Sequence, residues 1–171
     1  TGIWAEATFG KKRFQQDKGK ALYRRSLYTY WRRIIGPTMF FDVAKRQVCE
    51  VKPLRTNTPM HGLTVMNDVT YVEAGRALAD IILRDAKNDE ARLRLAAQRV
   101  LGRNPSAEEL TVLKHSLERG VASFTEDPEA ARRFLSHGDS KPQSEVLPVT
   151  RAAWAALCLN LLNLDETLNK E

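Results

Sequence analysis

The sequence predicts an all-α fold, an irregular bundle of six or seven helices led by an extended N-terminal arm. Three observations carry this. Apolar residues recur at helical spacing in most of the chain. Capping residues and glycines punctuate the ends of those stripes. One late stretch, TRAAWAALCLNLLNL, is apolar nearly all round, as a helix at the centre of a bundle must be. The 171 residues suffice for one domain with its own core. Residues 1–57 read as a basic arm with an aromatic helix, and residues 58–171 as the helical bundle.

The first eighteen residues have no clear period and carry GKKRFQQDKGK, a basic loop. From Ala21 the pattern changes: Tyr23, Leu27, Tyr30, Trp31 and Ile34 fall on one helical face, and Gly36-Pro37 stops it. Residues 38–55 read as an irregular connection, with QVCEV a candidate short strand. Thr58 is placed to cap a short helix with Pro59 in its first position, carrying Met60, Leu63, Val65 and Met66. Asn67-Asp68 closes it, and Asp68 caps the next helix, with Val72, Leu78, Ala79, Ile82 and Leu83, to about Lys87. Asp89 begins a further helix that Gly102 ends. Ser106 with Glu109 spells a capping box before Leu110, Leu113 and Leu117. Asp127, Pro128 and Gly138 repeat the grammar of cap, first position and stop.

Composition sets the functional bounds. The chain is 43% hydrophobic and 28% charged, a globular balance. No apolar run approaches the roughly 20 residues that span a bilayer, and no signal peptide is visible. The chain opens on TGIWAEATFG without an initiator Met and reads as a piece of something longer. Net charge is +6, unevenly held: residues 1–60 carry 13 Lys and Arg against 4 Asp and Glu, while the remainder carries 14 against 17. A basic first third calls for a polyanionic partner or an acidic surface within the protein.

Motifs for chemistry are sparse. His61, His115 and His137 each stand alone, without metal-ligand spacing, so no metal site is expected. There is no nucleophile elbow, phosphate-binding loop or dinucleotide fingerprint. Cys49 and Cys158 lie far apart: they are two unrelated thiols, or one long-range disulfide if the compartment is oxidising. The densest local chemistry is YRRSLYTYWRR, where arginines interleave with aromatics. Arg24, Arg25, Tyr28, Arg32 and Arg33, with Arg55, Asn57, His61 and Asn67 from the stretch RTNTPMHGLTVMND, form the candidate ligand-binding set for an anionic group.

The segments GIWAEATFGKKRFQQDKGKALYRRSLYTYWRR, FDVAKRQVC and RTNTPMHGLTVMNDVTYVEAGRALA, and the ending AAWAALCLNLLNLDETLNKE, resemble a large planctomycete family, domain of unknown function 1553. The resemblance implies the C-terminal module of an extracytoplasmic or cell-envelope protein with a haem-binding cytochrome-type domain upstream. The fragment itself holds no haem motif and is expected to carry no cofactor. That location permits a Cys49–Cys158 disulfide. The resemblance carries over no catalytic residue. The sequence departs from the family pattern at MHG, residues 60–62, where Leu-Gln-Ala is usual, and at Val69, where Pro is common. His61 thus has a weak claim to a shared role.

The expected function is a non-catalytic docking or ligand-binding module whose partners are upstream domains of the same protein. The first alternative is part of an enzyme acting on sulfated or anionic polysaccharide. Nucleic-acid binding fits the charge but conflicts with the implied location.

Overall fold

The computed structural model describes residues 9–11, 17–23, 59–140 and 146–168, save the side chains of Met60 and His61. The chain divides into two units, Thr1–His61 and Gly62–Glu171. In the first, a turn at Phe9 and Gly10 with positive φ precedes one turn of 3-10 helix, Gly19–Leu22. Tyr23 ends that turn, its N–H bonded to the Lys20 carbonyl at 3.4 Å. The remainder of the expected aromatic helix, the candidate strand QVCEV and the Thr58 cap lie outside the described residues.

Among the described residues seven α-helices follow: α1 (Pro59–Asn67), α2 (Val69–Asp85), α3 (Asp89–Leu101), α4 (Ala107–Glu126), α5 (Pro128–Leu135), α6 (Pro148–Leu162) and α7 (Asp165–Leu168). No strand occurs among the described residues, so the all-α class stands. Local chemistry sets the boundaries. Asp68 accepts from the Thr70 N–H at 2.9 Å and starts α2 after a single intervening residue. Asn88 caps α3 through the Ala91 N–H at 2.8 Å, so Asp89 sits inside the first turn, where its charge suits the helix dipole. Gly102 ends α3 at φ 75°, left-handed backbone that favours glycine. The Ser106–Glu109 capping box is complete. Asp127 caps α5 through the Ala130 N–H at 2.9 Å, with Pro128 in the first turn.

Helix α6 is the hub. It packs against α2, α3, α4, α5 and α7. Trp154, Leu157, Cys158 and Leu161 are all buried on it, and each large apolar side chain so enclosed contributes about 1.5–3 kcal/mol. It runs from Pro148 to Leu162, two residues earlier at each end than the apolar stretch indicates. Pro148 takes a first-turn position at no hydrogen-bond cost. Two glycines let neighbours approach it. A Cβ on Gly75 of α2 would stand 3.1 Å from the Ala155 carbonyl and the Leu159 backbone nitrogen; one on Gly120 of α4 would stand 3.4 Å from Ala153 Cβ.

Helix α1 corrects the sequence reading of its own face. Val65 is buried, whereas Leu63 and Met66 are 57% and 44% exposed. Gly62 lies against the side chain of Asn163 at the end of α6, 3.5 Å from where its Cβ would be. The close approach at Gly62 and Val65 selects the inward side of α1, which a count of apolar residues cannot do.

Candidate functional site

Helix α2 carries three charged residues on the stripe that faces the core. Glu73, Arg76 and Asp80 sit at i, i+3 and i+7 among Val72, Ala79 and Leu83, and all three are buried. Helix α6 contributes Arg151, its one charged residue, also buried. A buried charge requires a partner and satisfied hydrogen bonds, and the geometry supplies both. Arg151 Nε donates to Asp80 Oδ1 at 2.6 Å and Nη2 to Oδ2 at 2.8 Å, a two-pronged pairing that uses the planar fork of the guanidinium.

One turn back along α2, Arg76 grips the connection leaving α5. Its Nη1 donates to the Leu135 carbonyl at 3.1 Å, and its Nη2 to the Ser140 carbonyl at 2.7 Å and hydroxyl at 2.5 Å. Glu73 Oε1 lies 3.5 Å from the same guanidinium and accepts the Ser140 N–H at 2.5 Å. Arg76 Nε, buried, has no hydrogen-bond partner. Formally these four residues balance, two carboxylates against two guanidinium groups. They brace α2 against α6 and hold residues 136–140.

A second polar hub lies on the surface. Arg103, in the turn between α3 and α4, donates two hydrogen bonds to Glu109 at 2.7 and 2.9 Å. It donates two more to Glu166 of α7, both at 2.7 Å. Arg103 and the Ser106 N–H hold the Glu109 carboxyl far below the usual glutamate range, down to about 2. The same arginine lowers Glu166. Glu109 therefore closes the capping box and anchors Arg103, and Arg103 in turn ties the turn to α7.

Most of the candidate ligand set falls elsewhere. Arg24, Arg25, Tyr28, Arg32, Arg33, Arg55 and Asn57 lie outside the described residues, as does Cys49. His61 sits in α1 by its backbone. Asn67 Nδ2 donates to the Leu63 carbonyl at 2.7 Å, a contact that finishes the last turn of α1. Asp68 is engaged as a cap. His115 is exposed, 3.9 Å from Glu118. His137 is exposed after α5, its Nδ1 3.3 Å from the Phe134 carbonyl oxygen. Cys158 is a free, buried thiol, and burial pushes its pKa up to about 12, which keeps it from acting as a thiolate nucleophile. Among the described residues no group of three His, Cys, Asp or Glu side chains comes together to hold a metal. Among them, too, no helix is long and apolar enough to cross a membrane.

Sequence reasoning passed over Glu73, Arg76, Asp80 and Arg151. A signal was present: one arginine in an otherwise apolar helix, and three charges on the apolar stripe of α2. What no local pattern could give was the pairing, since Asp80 and Arg151 lie 71 positions apart.

The described residues thus form an all-α bundle organised on one apolar helix, with an internal charged seam. The chain belongs to the family described as protein of unknown function (DUF1553), which matches residues 4–117. That match takes in Glu73, Arg76, Asp80, Arg103 and Glu109, and stops before Ser140, Arg151 and Glu166. No curated protein matches the chain. No solved structure matches it either.

Proposed function

We propose that this chain is a docking module without catalytic chemistry of its own, in which the bundle is the scaffold and residues 1–60 meet an acidic surface on upstream domains of a larger protein. One observation carries the reading: where the arginines of the bundle are committed. Among the described residues of the bundle nine of the ten arginines, Arg76, Arg84, Arg92, Arg94, Arg99, Arg103, Arg132, Arg133 and Arg151, ion-pair with nearby carboxylates, Arg119 being the exception. The excess positive charge belongs by sequence to residues 1–60, with 13 Lys and Arg against 4 Asp and Glu. Charge of that density steers and holds an acidic partner.

The reading further places the module in an extracytoplasmic, haem-bearing protein, a part that rests on the family resemblance. Cell fractionation with haem staining of the full-length protein tests that part. The docking claim is tested by titrating the chain with a sulfated polysaccharide, as a generic polyanion, and with a neutral one, at low and physiological salt. Tighter binding of the sulfated polymer, weakening as salt rises, supports the proposal. Equal affinity for both polymers, or no binding at low salt, overturns it.

A further inference from the structure

Residues 136–140 read Ser-His-Gly-Asp-Ser, and none of the five is buried. This stretch adds no apolar side chain to the core. It is held instead by polar contacts to α2: Arg76 to the Ser140 carbonyl and hydroxyl, and Glu73 to the Ser140 N–H. Gly138 lies directly over Glu73. A Cβ there would stand 2.4 Å from the Glu73 carboxyl carbon, and the backbone has φ +91°, a conformation that side chains resist. The glycine is thus what lets this stretch lie down on the carboxylate. Under it, Glu73 and Arg76 are only 8% and 3% exposed.

Segments fastened by polar contacts, with few buried apolar ones, open at lower free energy than the core to which they are fastened. We propose that residues 136–140 form a strap that opens as a unit of its own, ahead of the bundle, and uncovers a charged face of α2 made by Glu73 and Arg76. Arg76 is suited to exchange its strap partners: the Ser140 carbonyl and hydroxyl share one terminal nitrogen, Nη2, while Nη1 stays on the Leu135 carbonyl of α5 and Nε is unpartnered. The opened state adds two charged groups to the surface and leaves in place the Asp80–Arg151 pair and the apolar contacts that hold α6.

Native-state hydrogen exchange of the full chain tests this, with the Ser140 amide as reporter of the strap and the Leu157 amide as reporter of the bundle. In the wild-type chain at low urea, the Ser140 amide exchanges through an opening nearly independent of urea, while Leu157 follows the steep dependence of global unfolding. Gly138→Ala, which forces the strap off Glu73, raises exchange at Ser140 by about tenfold or more and leaves Leu157 unchanged. If Ser140 and Leu157 share one urea dependence in the wild-type chain, the strap is part of the bundle's cooperative unit and the proposal fails. It fails equally if Gly138→Ala accelerates both amides alike or neither. Should that variant not fold, the wild-type urea series decides alone.

Discussion

Arg151 and Asp80 meet fork to fork inside the bundle, at 2.6 and 2.8 Å, with side chains only 7% and 6% exposed. The pair fixes α2 against the central helix. Removing one partner strands the other charge in the interior. Asp80→Ala should therefore lower unfolding stability by about 3–5 kcal/mol, read by urea denaturation. The double variant Asp80→Leu with Arg151→Met removes both charges and should recover most of that loss. A double variant as unstable as the single one would show that the pair's role is not charge compensation.

The two glycines against α6 should respond differently. At Gly75 the neighbours within 3.1 Å include backbone atoms of Ala155 and Leu159, which cannot step aside. Gly75→Ala should cost about 1–3 kcal/mol through overpacking. At Gly120 the nearest atom is the Ala153 methyl at 3.4 Å, and alanine gains about 1 kcal/mol of helix propensity. Gly120→Ala should be close to neutral in the same measurement.

How much of this was legible in the sequence depends on range. Asp68, Ser106, Asp127 and Gly102 act within one turn of their own position, and the caps and stops read from the sequence at those residues are present. The central helix was legible because burial on all sides leaves an apolar stretch with no polar face. The inward side of α1 was not, since Leu63 and Met66 look as apolar as Val65 and only a neighbour's position separates them. The seam of Glu73, Arg76, Asp80 and Arg151 was visible as misplaced charge but not as pairs, because its partners come together only in the folded chain. Ser140 gives no sequence signal at all, as its role lies largely in its backbone.

Helix caps give a local test. Asp68→Ala should cost about 0.5–2 kcal/mol, the usual loss when a first-turn N–H is orphaned. Thermal unfolding reads it, and Asp68→Asn should recover most of the loss because its side-chain oxygen can still accept.

The Arg103 hub makes stability depend on pH at the acid end. Glu109 titrates near 2 in the folded chain against an ordinary value of 4.5, and Glu166 is lowered too. Depressed folded values mean that their contribution is complete above pH 4.5 and is lost as pH falls toward 2. Arg103→Gln should flatten that part of the stability profile and return the Glu109 titration, followed by NMR, toward 4.5. An unchanged Glu109 titration in the variant would contradict the assignment to Arg103.

The central claim is that the bundle's charges serve the scaffold while residues 1–60 serve a partner. The most direct measurement compares two charge-reversed chains in titrations with a sulfated polysaccharide at low salt. Arg32→Glu with Arg55→Glu reverses charge in the basic third; Arg94→Glu with Arg132→Glu does so on the bundle, at exposed arginines already paired with Glu90 and Glu129. The account predicts that the first variant loses at least about tenfold in affinity and the second stays near wild type. Equal losses in both, or loss in the second alone, would contradict it.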